Sequence, residues 1–227
     1  MRGLLEIAGV YAILDLPYPH PLAPSAIASG LIAGGARVVQ LRAKRASAEQ
    51  RRRWAEAIAS TCHAAGVPLI INDDVELAES GIAGVAGVHL GQTDLASLGP
   101  SAREQLRRRE RLRERGLALG LSTHDLAQLR QADALDPEYV GFGPVFSTTN
   151  KLDADPVVGL DELARACGES AVPVVAIGGI DSARAPELAR VGVSAIAAIG
   201  ALTGETVEII RARTLALVRA FDQGSTV

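Results

Sequence analysis

The sequence predicts an α/β fold, a single (β/α)8 TIM barrel spanning residues 1–227. Three observations predict it. Short apolar runs rich in β-branched residues recur eight times, each followed by a helical stretch, as a helix-covered parallel sheet would read. No linker or low-complexity stretch breaks the series. The length of 227 residues also suits one barrel and is enough to bury a core without disulfide or metal staples. A doubly wound open sheet is the rival, since periodicity alone does not show closure; the number of units favours the barrel.

The units follow in order. Strands are expected near Gly9–Leu14, Arg37–Arg42, Pro68–Asn72, Gly87–Gly91, Leu117–Ser122, Glu138–Gly143, Pro173–Gly178 and Ala195–Gly200. Helices fill the gaps near Ser25–Gly34, Ser47–Ala65, Asp74–Ser80, Pro100–Arg115, His124–Ala134, Asp161–Ala166, Ser182–Val191 and Thr206–Phe221. Pro68 and Pro173 open strands, and Gly66, Gly116 and Gly192 stand where helices would end. The helix after the fourth strand is crowded with arginine, from Arg103 to Arg115, interleaved with Glu104, Glu110 and Glu114. Such a run reads first as a solvated outer face with ion pairs along the helix, and second as a docking face for an acidic partner.

Composition narrows the function. Aromatic residues make up only 3%, too few for a surface that stacks nucleic acid bases, and a net charge of −3 gives no field for a polyanion. No nucleic acid partner is expected, and phosphate chemistry must rest on a few local cations. The N-terminus is briefly apolar, but Glu6 and Asp15 interrupt it, and no run approaches a membrane span. Cys62 and Cys167 have no metal-type spacing and read as inert thiols, so the expectation is a cytoplasmic enzyme of small molecules. A homo-oligomer is left open.

Catalytic groups of such barrels sit at the C-terminal ends of strands, and the unusual polar residues fall there. On the second strand Gln40, Arg42 and Lys44 share one face, while Val39 and Leu41 share the other and should meet the helices. That aims an arginine into the barrel, where it needs a carboxylate or a substrate phosphate. The third strand ends Asn72-Asp73-Asp74 and the fourth runs from His89 to Asp94. Asp73 or Asp74 could be a helix cap; Asp73 with Asp94 could equally form a hard oxygen site for Mg2+. His89, within a strand, reads more readily as a satisfied core histidine.

Ser122-Thr123-His124 ends the fifth strand, and its hydroxyls suit either a helix cap or a phosphate. After the sixth strand, Ser147-Thr148-Thr149-Asn150-Lys151 has the makings of a loop that closes on an anion. Gly178 and Gly179 after the seventh strand and Gly200 after the eighth suit a metal-free phosphate cradle of backbone N–H groups. Two anion sites on one mouth suit an enzyme that joins two phosphorylated substrates.

These motifs, in this order, resemble thiamine phosphate synthase. The matching stretches are Gln40-Leu41-Arg42-Ala43-Lys44, Ile71-Asn72-Asp73, His89 to Asp94, Gly120 to His124, Tyr139 to Phe146 and Ala176 to Ile180. The resemblance implies condensation of 4-amino-2-methyl-5-hydroxymethylpyrimidine diphosphate with 4-methyl-5-(2-hydroxyethyl)thiazole phosphate, giving thiamine phosphate and pyrophosphate by a dissociative route. It implies Mg2+ on Asp73 and Asp94. Gln40, Arg42, Lys44, Asn72, Ser122 and Lys151 would hold the pyrimidine diphosphate, with Thr148 and Asn150 in the same loop. Arg42, Ser122 and Lys151 would be catalytic. Gly178, Gly179 and Gly200 would receive the thiazole phosphate. Two residues depart from the family pattern. Asn150 replaces a hydroxyl residue, and Gly200 replaces a serine, a change worth about 0.5–1.5 kcal/mol of binding. The alternatives are a thiazole phosphate isomerase (tautomerase) of the same fold and a non-catalytic protein that binds thiamine precursors.

Overall fold

A computed structural model describes residues 5–16, 21–148 and 156–225. Eight parallel strands close into a barrel in chain order: β1 (Gly9–Asp15), β2 (Val38–Arg42), β3 (Leu69–Asn72), β4 (Val85–Leu90), β5 (Ala118–Thr123), β6 (Tyr139–Phe142), β7 (Val174–Ile177) and β8 (Ala195–Ala198). Pairing of β1 with β8 completes the ring, which excludes the open sheet. Helices cover the outside: α1 (Pro24–Ala33), α2 (Ala48–Ala64), α3 (Val75–Ala78), α4 (Ala102–Glu114), α5 (Leu126–Asp133), α6 (Gly159–Glu169), α7 (Ala185–Val191) and α8 (Val207–Ser225). The chain therefore adopts the (β/α)8 TIM barrel.

Alternation along the strands divides the core in two. Val39, Leu41, Leu69 and Ile71 face outward into a continuous apolar layer with Ile58 and Ala59 of α2. Each such aliphatic side chain contributes about 1.5–3 kcal/mol when fully buried. The barrel interior holds a smaller cluster around Tyr11, Ile13, Val38, Ile70, Tyr139 and Val175. Gly120 lies opposite Tyr139 in register, and a Cβ on Gly120 would collide with the phenol ring. The bare backbone of β5 thus makes room for the aromatic side chain of β6 in a narrow barrel. Pro68 and Pro173 open their strands as expected, each lending its carbonyl to a neighbour: Val39 N–H at 3.1 Å and Val140 N–H at 3.0 Å.

Several helix starts lie later than the pattern suggests, each for a local reason. A 3-10 turn over Gln92–Leu98 fills the β4–α4 connection, so α4 starts at Ala102, capped by Ser101. Asp125, not Ser122 or Thr123, caps α5 by accepting the Gln128 N–H. Before α7, Asp181 Oδ1 holds the N–H groups of Ala183 and Arg184, each at 3.0 Å, in a turn. The ion pairs expected along α4 run instead to neighbouring elements. Arg108 meets Glu79 at 2.6 Å and Arg109 meets Glu138 at 2.5 Å. Arg109 faces inward and is buried, so it needs a carboxylate from beneath; Glu138 also accepts the Leu119 N–H. Burial pushes the Cys62 thiol up to about 12, which leaves it an inert core residue. No described helix is long and apolar enough to cross a membrane.

Candidate active site

Two cavities open at the C-terminal ends of the strands. The first, of about 80 Å³, is lined by Arg42, Lys44, Asn72 and Asp73 at its charged end and by Ile13, Val175 and Ile177 at its apolar wall. Asp15 Oδ2 accepts from Arg42 Nη1 at 2.5 Å, across the register pair that joins the ends of β1 and β2. The carboxylate partner of the partly buried Arg42 is therefore Asp15, and it occupies one of the five guanidinium donors. Lys44 Nζ stands 3.1 Å from Asp73 Oδ2.

Asp73 and Asp74 divide their labour. Asp74 caps α3 through the Leu77 N–H at 3.0 Å and binds Arg51 at 2.8 Å, so it is structural. Asp73 has φ +64, a left-handed backbone that aspartate tolerates better than most residues, and turns its carboxylate to the mouth. Asp94, on the 3-10 turn after β4, faces it. Burial raises the Asp94 carboxyl above the usual carboxylate range, the Asp73 charge and a hydrogen bond with Asp73 raise it further, and Lys44 opposes them. Among the described residues no three His, Cys, Asp or Glu side chains gather on one point, so a metal here would rest on these two carboxylates.

Beneath the charged end runs a continuous hydrogen-bond chain. Gln40 Nε2 donates to the Tyr11 hydroxyl at 2.9 Å, and the Tyr11 and Tyr139 hydroxyls meet at 2.8 Å. Tyr139 meets His89 Nδ1 at 3.1 Å, and His89 Nε2 meets Ser122 Oγ at 2.8 Å. One polarity satisfies every member: Gln40 donates to Tyr11, Tyr11 to Tyr139, Tyr139 to Nδ1, and the Nε2–H to Ser122. Burial, the largest effect on both phenols, lifts them above their ordinary pKa and keeps them protonated donors. His89 is thus satisfied on both nitrogens while also lining the cavity. Gly141 lies beside the ring, where a Cβ would rest in van der Waals contact, 3.4 Å from His89 Cε1.

The second cavity, of about 100 Å³, lies between the loops after β6, β7 and β8 and is lined by Thr148, Gly178, Gly179, Ile180, Gly200 and Ala201, among others. Among the described residues, no acceptor takes the N–H of Gly179, Ile180, Gly200 or Ala201. Four such amides, unpaired among the described residues and lining one concave site, suit an anionic acceptor. Gly178 and Gly179 have φ +102 and +65. A Cβ on Gly178 would lie 2.5 Å from Pro144 Cα, and one on Gly179 would strike Ser147 O, so the loops after β6 and β7 touch backbone to backbone. Ser122, Gly141, Ile177, Ala197 and Ile199 line both cavities, which therefore share a wall.

Of the residues singled out from sequence, Gln40, Arg42, Lys44, Asn72 and Asp73 line the first cavity, with Asp94 against Asp73, while Thr148, Gly178, Gly179 and Gly200 line the second and Ser122 lines both. Asn150 and Lys151 lie outside the described residues. Sequence reasoning missed Asp15, Tyr11 and Tyr139. The signal for the first two was the period-two face Tyr11-Ile13-Asp15 on β1.

Comparison with known proteins shows the family of the chain. The family profile described as thiamine monophosphate synthase matches residues 20–202. The chain is 35% identical to a thiamine-phosphate synthase of Methanocella arvoryzae over 91% of this chain and 92% of that one. It is 38% identical to one of Herpetosiphon aurantiacus over 87% and 89%, respectively. The solved structure of thiamine phosphate pyrophosphorylase from Pyrococcus furiosus superposes with a TM-score of 0.76 at 25% identity, covering 95% of this chain and 96% of that one.

Proposed function

The chain belongs to the thiamine monophosphate synthase family and is an enzyme of the transferase class; from that premise we propose how its barrel mouth works. The first cavity takes 4-amino-2-methyl-5-hydroxymethylpyrimidine diphosphate and the second takes 4-methyl-5-(2-hydroxyethyl)thiazole phosphate. The products are thiamine phosphate and pyrophosphate. The observation that carries this reading is the shared wall: a cationic cavity and a cradle of unpaired amides meet at Ser122, so two anionic substrates can face each other.

Arg42 and Lys44 bind the diphosphate, and Asn72 lies beside them on the same lining. Asp15 orients the Arg42 guanidinium. The chain from Gln40 to Ser122 presents a fixed polar floor to the pyrimidine ring. Mg2+ is the cofactor that Asp73 and Asp94 would hold, since two hard oxygen donors close together suit a divalent cation. Bound there, it would draw charge from the departing pyrophosphate.

The C–O bond to the diphosphate breaks first and its electron pair leaves with pyrophosphate. Negative charge grows on that oxygen, so Arg42 and Lys44 act more strongly on the transition state than on the ground state. The pyrimidinylmethyl cation left behind is flanked by apolar Ile13, Val175 and Ile177. The hydroxyls of Tyr11 and Ser122 are engaged in the hydrogen-bond chain, which disfavours capture by protein oxygen. The thiazole nitrogen then supplies the electron pair for the new C–N bond. Cys62 and Cys167 are both free, which suits a reducing compartment such as the cytoplasm.

The test is pyrophosphate release from purified protein supplied with Mg2+ and both substrates. Release that needs both substrates and stops with EDTA supports the reading. Thiazole isomerisation without Mg2+, or precursor binding without turnover, overturns it.

A further inference from the structure

The loop after β7 carries a residue that the reaction above does not use. Arg184, at the start of α7, folds back so that its Nη1 donates to the Gly179 carbonyl. Its guanidinium also lies over the Phe146 ring, 4.7 Å from the centroid. Asp181 fixes it from the other side, accepting the Arg184 N–H at 3.0 Å and standing 3.9 Å from its Nη1. Phe146 belongs to the loop after β6, which is joined to the β7 loop by Val145 N–H to Ile177 O at 2.8 Å and Phe146 N–H to Gly178 O at 3.1 Å.

We propose that Arg184 is a positioning residue that orients the Gly179–Ile180 peptide, aims the Ile180 N–H at the thiazole phosphate, and clamps this cradle to Phe146. Two physical effects act together. The Gly179 carbonyl and the Ile180 N–H belong to one planar peptide, so holding the oxygen outward turns the N–H inward. A cationic donor on that oxygen also polarises the peptide, and the N–H becomes a stronger donor to an anion. Gly179 has φ +65 and no side chain to restrict it, so without a partner on its carbonyl the peptide has more orientations open to it. The cation–π contact anchors the guanidinium and ties the cradle to the loop that leads toward Thr148.

The inference rests on the substrate assignment above, and the experiment separates the two. Thiazole phosphate is titrated calorimetrically into the wild type, Arg184→Ala and Arg184→Lys, with melting curves as a check of folding. Arg184→Ala is expected to bind about tenfold more weakly, and Arg184→Lys, which keeps a cationic donor without the planar stack, to fall between. In turnover assays the KM for thiazole phosphate rises, while kcat and the KM for the pyrimidine diphosphate stay within about twofold. Phe146→Leu gives a smaller loss that does not add to that of Arg184→Ala. Equal binding by wild type and Arg184→Ala, or equal rises in both KM values, overturns the role of Arg184 and leaves the site reading intact. Failure of the wild type itself to bind thiazole phosphate overturns both.

Discussion

Replacing Tyr139 by phenylalanine cuts the hydrogen-bond chain at its centre while leaving the ring in place. The Tyr139 hydroxyl is 2.8 Å from Tyr11 and 3.1 Å from His89 Nδ1, in a side chain only 1% exposed. Each lost bond is worth about 0.5–1.5 kcal/mol, and the Tyr11 proton is left buried without an acceptor, so the total is about 2–3 kcal/mol. In a domain of this size that lowers Tm by roughly 5–10 °C. The ring contacts with Tyr11 and His89, at centroid separations of 5.8 and 5.5 Å, should persist and keep the variant folded. Function should change mainly at one substrate. With Nδ1 released, the His89 ring loses one of its two anchors and Ser122 is held less firmly, so the KM for the pyrimidine diphosphate should rise about tenfold, equivalent to about 1.4 kcal/mol. The KM for thiazole phosphate should rise by no more than about twofold, because the cradle amides lie outside the chain and only Ser122 is shared. Calorimetric melting and steady-state kinetics with each substrate varied in turn make the measurement. An unchanged Tm, or equal increases in both KM values, would refute the chain as the pyrimidine floor.

Further outcomes follow from the same geometry. Both phenols have folded-state pKa values above the unfolded value of about 10, so their contribution is complete below that pH and is lost as pH rises beyond it. Each should reduce stability by up to about 1.4 kcal/mol per pH unit, and Tyr11→Phe should flatten a melting series taken between about pH 9 and 11. Asp94→Asn removes the like charge facing Asp73; it should raise the metal-free melting temperature at neutral pH while lowering kcat about 100-fold, and a lower Tm with normal turnover would contradict the paired-carboxylate site. Gly179→Ala places a Cβ against Ser147 O and Phe146 on a left-handed backbone, a strain of about 1–2 kcal/mol before any collision. It should weaken thiazole phosphate binding selectively, as read by calorimetry.

The barrel was legible because eight apolar runs each carry a local period, and because Gly66, Gly116 and Gly192 stand next to helix ends. Strand-end chemistry was legible for the same reason: alternation on β2 separates Gln40, Arg42 and Lys44 from Val39 and Leu41 without knowledge of any partner. Choices between neighbouring residues were not. Asp73 and Asp74 look alike in sequence, and only the backbone path decides that one caps α3 and the other faces the mouth. Ser122 competes with Asp125 for the cap of α5, and the chain continues two residues further than the strand pattern implies before the helix begins. The hydrogen-bond chain was hidden because it is a property of closure: Tyr11 and Tyr139 are 128 residues apart and meet only when β1 and β6 face each other across the barrel. Asp15 was hidden in the same way, since the register of β1 on β2 is what pairs it with Arg42.

The central claim is that two anion sites share a wall at the barrel mouth, with Ser122 between them. The most direct measurement is a crystal structure with thiamine phosphate and pyrophosphate bound together. The account predicts the thiamine phosphate group against the amides of Gly179, Ile180, Gly200 and Ala201, and pyrophosphate against Arg42 and Lys44. Pyrophosphate lodged in the amide cradle, or either product bound away from the Ser122 wall, would contradict it.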